Sequence, residues 1–357
     1  MQKRTLIRAL AGAALSAFLA MGAAQAEDVK AGFVYVGPVG DHGWTYRHDK
    51  GRLQVEEELG VETSFVESVA EGADAERVIR KLASSGHNII FTTSFGYMNP
   101  TLKVAKQFPD VKFEHATGYK RHDNLSTYSG RFYEGRTVIG AIAGHMTKTG
   151  VIGYIASFPI PEVIRGINAF TLALRNVNPD AVVKVVWVNT WYDPGKEGDA
   201  AKALIDQGAD IIAQHTDSPA PLQVAEQRGV YAFGQASDMK AFAPNAQLTA
   251  IVDDWGPYYV SRVKAVMDGN WESMDTWDGF GPGMVVMAPY GDAVPENVRA
   301  IADEIIAGVT DGSIHPFQGP IKNQAGEQVI GEGEALDDGV LLGMNYYVEG
   351  VQGEIPQ

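Results

Sequence analysis

The sequence predicts an α/β protein with two lobes, each built on a doubly wound parallel sheet. From residue 29 onward, short runs of β-branched and aromatic residues alternate with amphipathic stretches, which is the pattern of βα units in a parallel sheet. The alternation occurs in two successive series, and no low-complexity linker separates them. A chain of 357 residues has enough length for two medium-sized cores. We therefore expect two similar lobes joined by short ordered crossovers rather than by a flexible tether.

The first series predicts four strands and three helices. The strands read KAGFVYVG, VETSFVES, HNIIFTTS and VKFEHATG. Helices are expected at 73–85 and at 99–108. A further helix at 133–146 is expected to close the first lobe before the chain enters the second.

The second series predicts five strands and three helices. The strands read GVIGYIAS, AVVKVVWVNT, ADIIAQHT, VYAFGQAS and QLTAIVDD. The helices are expected at 162–176, 196–207 and 219–228. Asp193 followed by Pro194 gives an N-cap and a first-turn proline. Gly208 and Gly229 stand where helices should end.

The N-terminal segment has the pattern of a secretory signal peptide. Three basic residues precede an apolar stretch, and the small residues Ala24 and Ala26 fit a cleavage site. A membrane anchor is the rival interpretation, but the stretch is interrupted by glycine and serine and is short for a bilayer span. We expect residues 1–26 to be removed and the mature chain to be soluble and periplasmic.

Composition excludes several classes of partner and chemistry. The formal net charge is -15, and loss of the basic leader makes the mature chain more acidic still. Such a surface repels nucleic acid and anionic lipid, and it favours a neutral or cationic small ligand. The sequence contains no cysteine, which excludes disulfides, thiolate chemistry and a lipid-anchored N-terminal cysteine.

Polar and aromatic residues recur where the predicted strands end. The segment GDHGWTYRHDKG, with Asp41 and Trp44, follows the first strand, and similar residues follow five others. These later candidates are Phe95, Tyr97, Phe158, Trp191, Tyr192, Asp217 and Asp238. Since ligands bind at the carboxyl ends of parallel strands, six such loops predict a cleft lined from both lobes. Packing in a core stays open for residues 95, 97 and 191, and helix capping stays open for residues 193 and 217.

Motifs of enzyme chemistry are absent from the sequence. The glycines after the first strand lack the dinucleotide-binding spacing, and neither a phosphate-binding loop nor a nucleophile elbow occurs. His42 and His48, six residues apart, fit no helical pair of metal ligands. An acid/base set of Asp41, Asp217 and Asp238 stays open. Aromatic faces with carboxylates instead suit a flat heterocycle that stacks and donates N–H bonds, so we expect neither a metal nor a cofactor.

Four segments resemble the basic membrane protein family of ABC-transporter solute-binding proteins, which includes purine nucleoside receptors. They read VGPVGDHGWTYRHDKG, FPIPEVIRGINAF, NTWYDPGKEGDAAKALIDQGADIIAQHTDSP and LTAIVDDW. The resemblance covers nearly the whole mature chain. It implies the type I periplasmic binding protein fold, in which a three-segment hinge joins the lobes and a purine binds between them. The implied lobes are 27–148 with about 254–278, and 149–253 with about 279–357.

The family's first loop, D-x-S-F-N-Q-x-x-x-x-G, implies roles for three residues after the first strand. When this loop is aligned with the family's pattern, Trp44 takes the position of the Phe that stacks on the purine. Thr45 takes the position of the Asn that contacts the base, and Gly51 that of the closing Gly. The resemblance therefore implies that Trp44 is one stacking wall and that its polar neighbours contact the base edge.

The family's second-lobe patterns imply the remaining contacts. An aromatic residue before D-P implies Trp191 or Tyr192 on the other face of the ring. The acidic residue of a G-V-D-x-D segment falls on Asp238. Asp253 stands where the family's nucleoside receptors carry a Lys that resembles a ribose contact, and this departure favours a free base over its nucleoside.

The expected function is that of a periplasmic purine-binding component of an ABC importer. It would close on its ligand about the hinge, act as a monomer, and deliver the purine to membrane permease subunits. Three other functions stay open: a secreted nucleosidase that uses Asp41 or Asp217 with a water, a sensory binding protein for a chemoreceptor or kinase, and a sugar-binding protein.

Overall fold

The first series forms alternating strands and helices, with one strand, β5 (Leu125–Gly130), and one helix, α1 (Gly43–Leu59), more than the sequence predicts. The computed structural model describes residues 29–40 and 42–357, so the predicted signal peptide and Asp41 lie outside the described residues. The first elements are β1 (Lys30–Val34), α1 (Gly43–Leu59), β2 (Glu62–Val66), α2 (Ala73–Ser84), β3 (Ile89–Thr92), α3 (Met98–Ala105), β4 (Lys112–Ala116), β5 (Leu125–Gly130) and α4 (Phe132–Met146).

The second series also follows its predicted order. Its elements are β6 (Val151–Ala156), α5 (Pro161–Val177), β7 (Val182–Trp187), α6 (Pro194–Asp206), β8 (Ile211–His215), α7 (Ala220–Arg228), β9 (Tyr231–Gly234) and β10 (Gln247–Asp253). The predicted cap of α6 is confirmed, because the Asp193 carboxylate accepts a hydrogen bond from the Lys196 N–H at 3.1 Å. Gly229 ends α7 in the left-handed conformation.

The rest of the chain returns to both sheets and adds a small hairpin. Its elements are α8 (Gly256–Met267), β11 (Asp275–Asp278), β12 (Val285–Met287), α9 (Glu296–Asp311), β13 (Ile321–Lys322), β14 (Gln328–Ile330), α10 (Asp338–Leu342) and β15 (Val351–Gln352). Within residues 29–40 and 42–357, no helix combines the length and the apolar character that a bilayer span requires.

Two largely parallel sheets organise the molecule, as the sequence predicts. The first has the strand order β11-β5-β4-β3-β1-β2, and the second has the order β12-β10-β9-β8-β6-β7-β15. Only β12 runs antiparallel to its neighbour in these two sheets, among the described strands. Because helices cover both faces, central strands such as β3 are apolar without alternation, and Ile89, Ile90 and Phe91 have no exposed surface. The predicted α/β fold class is confirmed.

Helix α4 differs from its predicted place. It packs against α5, α9 and β10, which belong with the second sheet, rather than closing the first lobe. The close packing depends on two glycines: a Cβ at Gly140 would lie 2.3 Å from the Phe170 carbonyl oxygen, and one at Gly144 would lie 2.9 Å from that of Leu174. An amphipathic pattern identifies a helix but not the sheet it covers, which is why the sequence misplaced it. Apart from the place of α4, the lobe limits given above remain a proposal.

Strand β5 was missed because its sequence, LSTYSG, is half polar. The structure pairs these polar side chains with a residue of α8 and with a residue of the neighbouring strand β11. The Arg262 guanidinium donates to Ser126 Oγ at 3.0 Å, and Thr127 Oγ1 donates to the Asp275 carboxylate on β11 at 2.5 Å. Satisfied in this way, a polar strand can occupy a buried position.

Two helical glycines give a matched test of the α4–α5 packing. Gly140→Ala should lower the free energy of unfolding by about 1–3 kcal/mol, the usual cost of forcing an extra methyl group into a packed interior. Gly198→Ala, in α6, has only ordinary contacts at 3.7 Å and beyond, so its better helix propensity should leave stability unchanged or raise it by up to about 1 kcal/mol. Urea denaturation measures both, and equal stability of the two variants would contradict the packing described here.

Candidate ligand-binding site

A cavity of about 340 Å³ lies where the carboxyl ends of strands from the two sheets meet. Ten residues line it: Val36, Trp44, Ser94, Phe95, Thr117, Glu162, Trp191, His215, Asp217 and Gln235. The first five follow strands of the first sheet or begin α1, and the last five end or follow strands of the second sheet or begin α5. A pocket between two sheets that is lined by aromatic rings and a few polar groups is the usual form of a small-molecule site.

Trp44 forms an aromatic wall whose orientation is fixed. It is the second residue of α1, and its indole Nε1–H donates to the Thr93 carbonyl oxygen at 2.7 Å. Its ring packs edge-on against His48 at 4.4 Å and against Trp255 at 5.4 Å. His48 is itself stacked on Trp255 at 4.7 Å. With both its hydrogen bond and its ring contacts in place, Trp44 offers a rigid aromatic surface to the cavity.

Trp191 supplies the aromatic surface from the side of the second sheet. Its ring centroid lies 5.2 Å from that of Phe158 and 6.3 Å from that of His215. Its carbonyl oxygen accepts a hydrogen bond from the Asp217 N–H at 3.0 Å. This bond ties the loop after β7 to the loop after β8, so that an indole and a carboxylate reach the cavity together.

Carboxylates dominate the polar edge of the cavity. Burial raises the pKa of Asp217 well above its usual value, and the nearby charges of Glu197, Asp253 and Glu162 raise it further. Glu162 Oε1 lies 3.5 Å from His215 Nε2. Burial lowers the pKa of His215, which Glu162 partly opposes. These groups can accept hydrogen bonds from N–H donors on a ligand.

Asp253 lies beneath this cavity rather than in its wall. It ends β10 with no exposed surface, and neither carboxylate oxygen has a hydrogen bond within the part of the chain that the structure describes. Burial raises its pKa well above the usual value, while Arg47 and Arg136 oppose the rise. The Arg47 side chain does not contact this carboxylate: its Nε–H donates to the Asp253 carbonyl oxygen at 2.5 Å.

The start of α1 contacts the second sheet's loops directly. The Gly43 N–H donates to Ser237 Oγ at 2.7 Å. Gly43 has φ +82°, and a Cβ there would lie 2.5 Å from the Asp217 carbonyl oxygen. The His42 ring packs edge-on against Phe242 at 4.5 Å. The two sides of the cavity are therefore held together beside it by contacts of the Gly43 backbone and of the His42 ring.

Four of the residues predicted from the sequence line the cavity together. They are Trp44, Phe95, Trp191 and Asp217. Two others lie close behind the wall. Thr45 is buried, and its hydroxyl accepts from the Gly37 N–H at 3.3 Å, whereas Phe158 packs on Trp191. Asp41 lies outside the described residues.

Four predicted residues lie elsewhere. Tyr97 packs in the core of the first lobe, where its hydroxyl donates to the Val69 carbonyl oxygen at 2.5 Å. In the helical turn at Phe95–Tyr97 the two rings lie on opposite sides. Phe95 therefore lines the cavity, and Tyr97 does not. Asp238 is exposed and accepts from the Lys240 N–H and the Gln247 amide, and Tyr192 is also at the surface. The fourth is Asp253, described above.

Sequence reasoning did not select Val36, Ser94, Thr117, Glu162, His215 and Gln235 as site residues. All of them end or follow a strand or begin the next helix. The position of the strand ends was therefore the signal that could have identified them. Which side chain of each loop turns inward is decided by local backbone conformation, as in the left-handed Ala236 beside Gln235.

Comparison with known proteins gives a consistent result. The profile of the family described as ABC transporter substrate-binding protein PnrA-like matches residues 28–310. A purine-binding protein of Brucella abortus is 59% identical over 97% of this chain and 99% of its own length. A putative ABC transporter glucose-binding protein of Haloferax volcanii is 39% identical over 94% of this chain and 83% of its own length.

Solved structures agree in fold. A solute-binding protein of an ABC transporter from Aeropyrum pernix has a TM-score of 0.70 at 18% identity, covering 83% of this chain and 93% of its own. A transcriptional activator from Bacillus halodurans has a TM-score of 0.69 at 23% identity, covering 80% and 99%. At such low identity these two likenesses concern the fold alone.

The buried Asp253 carboxylate predicts a pH-dependent stability. Its folded pKa exceeds its unfolded pKa, so the destabilisation is full at pH values above the folded pKa, decreases progressively as the pH falls from the folded to the unfolded pKa, and is absent below the unfolded pKa. Asp253→Asn should therefore raise the free energy of unfolding at pH 8 by at least about 1 kcal/mol, and the gain should shrink toward pH 5. Denaturant titrations at both pH values measure it.

Asp254→Asn is the matched control for this variant. The Asp254 carboxylate is 40% exposed and pairs with Arg47 at 3.1 Å, so its neutralisation should give no comparable gain at pH 8. If Asp253→Asn is no more stable than the wild type at pH 8, the carboxylate is not the uncompensated charge described here.

Proposed function

The chain belongs to the PnrA-like family of ABC transporter substrate-binding proteins, and from that premise we propose that it is a periplasmic purine receptor that prefers free bases to nucleosides. It would act as a monomer and deliver its ligand to membrane permease subunits. The observation that carries the proposal is the pair of indoles, Trp44 and Trp191, that reach one interlobe cavity from different sheets beside carboxylate acceptors.

The cavity chemistry matches a flat heterocycle with N–H donors. A purine has two aromatic faces, and stacking on tryptophan needs no particular ring substituent. Asp217 and Glu162 would accept hydrogen bonds from its ring N–H or amino groups. The relative from Brucella abortus, named as a purine-binding protein, supports the same ligand class.

Closure about the hinge is the mechanism that we propose for ligand capture. The contacts of Gly43 with Ser237 and Asp217 join the two sides of the cavity next to Trp44. A ligand that touches residues from both lobes binds the closed arrangement more tightly than the open one, so it shifts the population toward closure.

The preference for a base rests on the two bulky indoles, Trp44 and Trp191, which both reach this cavity. They leave less room beside a purine ring than smaller side chains would. A nucleoside would extend its sugar toward a neighbouring cavity, which shares Phe95, Thr117 and Glu162 with the first. Asp253, from which the sequence argued this preference, has no exposed surface and so would act only through its charge.

A sugar is the second candidate ligand. The Haloferax volcanii relative is named as a putative glucose-binding protein, and aromatic faces with carboxylates also suit a pyranose ring. Hydrolysis of a nucleoside by Asp217 is the alternative from another class of function.

Titration calorimetry with a ligand panel tests the proposal. The panel contains adenine, guanine, hypoxanthine, adenosine, guanosine and glucose. We expect at least one base to bind with 1:1 stoichiometry and to displace its nucleoside, and we expect no free base to form when the protein is incubated with nucleosides. Tighter binding of both nucleosides would contradict the base preference, binding of glucose alone would contradict the purine receptor, and turnover would indicate an enzyme.

The two tryptophans give a sharper test of the stacking geometry. Trp44→Ala and Trp191→Ala should each weaken binding of the preferred base by about 1–3 kcal/mol, the range typical of base–aromatic stacking. Tyr192→Ala, at the surface beside Trp191, should leave the affinity nearly unchanged. Calorimetry on the three folded variants measures these affinities. If Tyr192→Ala loses affinity and Trp191→Ala does not, then Tyr192 and not Trp191 forms the second stacking wall.

A further inference from the structure

We infer that Arg136 is a positioning residue of the ligand site, which turns the amide of Gln235 so that its Nε2 amino group donates a hydrogen bond into the cavity. The inference rests on the proposed function, because it concerns the purine in that cavity. Arg136 lies on α4 and is 1% exposed, and Gln235 follows β9 and is 3% exposed. Gln235 lines the cavity, whereas Arg136 does not.

The contacts of Arg136 hold its guanidinium in one orientation. One terminal nitrogen donates to the Gln214 carbonyl oxygen at 2.9 Å, and the other donates to Gln235 Oε1. The side chain also lies over the Tyr154 ring, with the guanidinium carbon 5.6 Å from the ring centroid. A planar guanidinium fixed at both ends defines where the amide oxygen of Gln235 must be.

The chemistry of the pair settles which end of the amide faces the guanidinium. A guanidinium has only donors, so it must meet the oxygen and not the amino group of the glutamine. Nε2 therefore points away from Arg136. It has no hydrogen-bond partner within the part of the chain that the structure describes, although Gln235 is almost completely buried.

This amino group is unusual among the polar groups of the cavity wall. The Trp44 indole N–H donates to Thr93, the Ser94 hydroxyl donates to Glu71, and the Thr117 hydroxyl donates to its neighbouring carbonyl. An ionised carboxylate such as Glu162 only accepts, whereas Asp217, whose pKa is raised by burial, also donates when it is protonated. The His215 ring is a second wall group with spare capacity, because its Nδ1 has no partner among the described residues. Gln235 adds an unused amide donor to this wall.

The consequence is a requirement on the ligand. The edge of the purine that meets Gln235 must present an acceptor, either a ring nitrogen with a free lone pair or a carbonyl oxygen. A ligand with C–H at that point would leave Nε2 buried without a partner, which is costly. A sugar hydroxyl can donate or accept, so a sugar would not depend on the orientation of this amide in the same way.

Deaza analogues of the preferred base, in which one ring nitrogen is replaced by C–H, test the inference. With the wild type, at least one of the 1-, 3- and 7-deaza analogues, or the analogue lacking the carbonyl oxygen, should bind tenfold or more weakly than the parent. In Gln235→Leu the same analogue and the parent should bind with affinities equal within threefold. We call the ratio of the affinities for the parent base and for that analogue the discrimination. In Arg136→Met, where the Gln235 amide can turn, the discrimination should fall to less than half of its wild-type value.

Arg165→Met is the matched control. Arg165 is another buried arginine, on α5, and it lines the neighbouring cavity instead. It should keep the wild-type discrimination. If Arg136→Met fails to fold, Gln235→Leu still decides. Discrimination retained in Gln235→Leu, or equal binding of all analogues by the wild type, would overturn the inference and leave the purine receptor intact, whereas absence of purine binding by the wild type would overturn both.

Discussion

The close approach of the first residue of α1 to the second sheet is the constraint on which the site depends. At Gly43 the backbone N–H reaches Ser237, and the Asp217 carbonyl oxygen occupies the space that a side chain would need. Glycine tolerates both the positive φ and the contact. Trp44 is the next residue along α1, so the Gly43 contact fixes the position of its ring at the cavity. Arg47 lies one turn further on, so the same contact also positions its hydrogen bond to the Asp253 carbonyl oxygen.

The same closeness concentrates charge in a small volume. Glu162 and Asp217 line the cavity and Asp253 lies below it, while Arg136 and Arg47 are the cations whose charge opposes the raised pKa of Asp253. Such a group of carboxylates is costly without donors to satisfy it. Under the function proposed above, a ligand rich in N–H groups would supply donors at the wall. The cost of grouping these carboxylates would then be relieved when the ligand binds, which would make it part of the recognition of the ligand.

The sequence predicted the two sheets and the ends of the strands well, because hydrophobic periodicity reports burial directly. It predicted Trp44 and Trp191 at the cavity for the same reason, since the loops at strand ends must meet there. It could not separate Phe95 from Tyr97, because a single turn of helix decides which ring faces inward. Nor could it find the Arg136–Gln235 contact, which joins residues 99 apart along the chain, or place α4 on the second sheet.

Small-angle X-ray scattering with and without a saturating purine base tests the central claim, that the ligand is held by closure of the lobes. The radius of gyration of the wild type should fall when the base is added. Gly40→Ala, where φ is +53° and nothing lies within 4 Å of a Cβ, should compact like the wild type. Gly43 also has a positive φ, but a Cβ there would collide with the Asp217 carbonyl oxygen. The radius of gyration of Gly43→Ala should therefore not fall when the base is added. An unchanged radius for the wild type, or full compaction of Gly43→Ala, would contradict it.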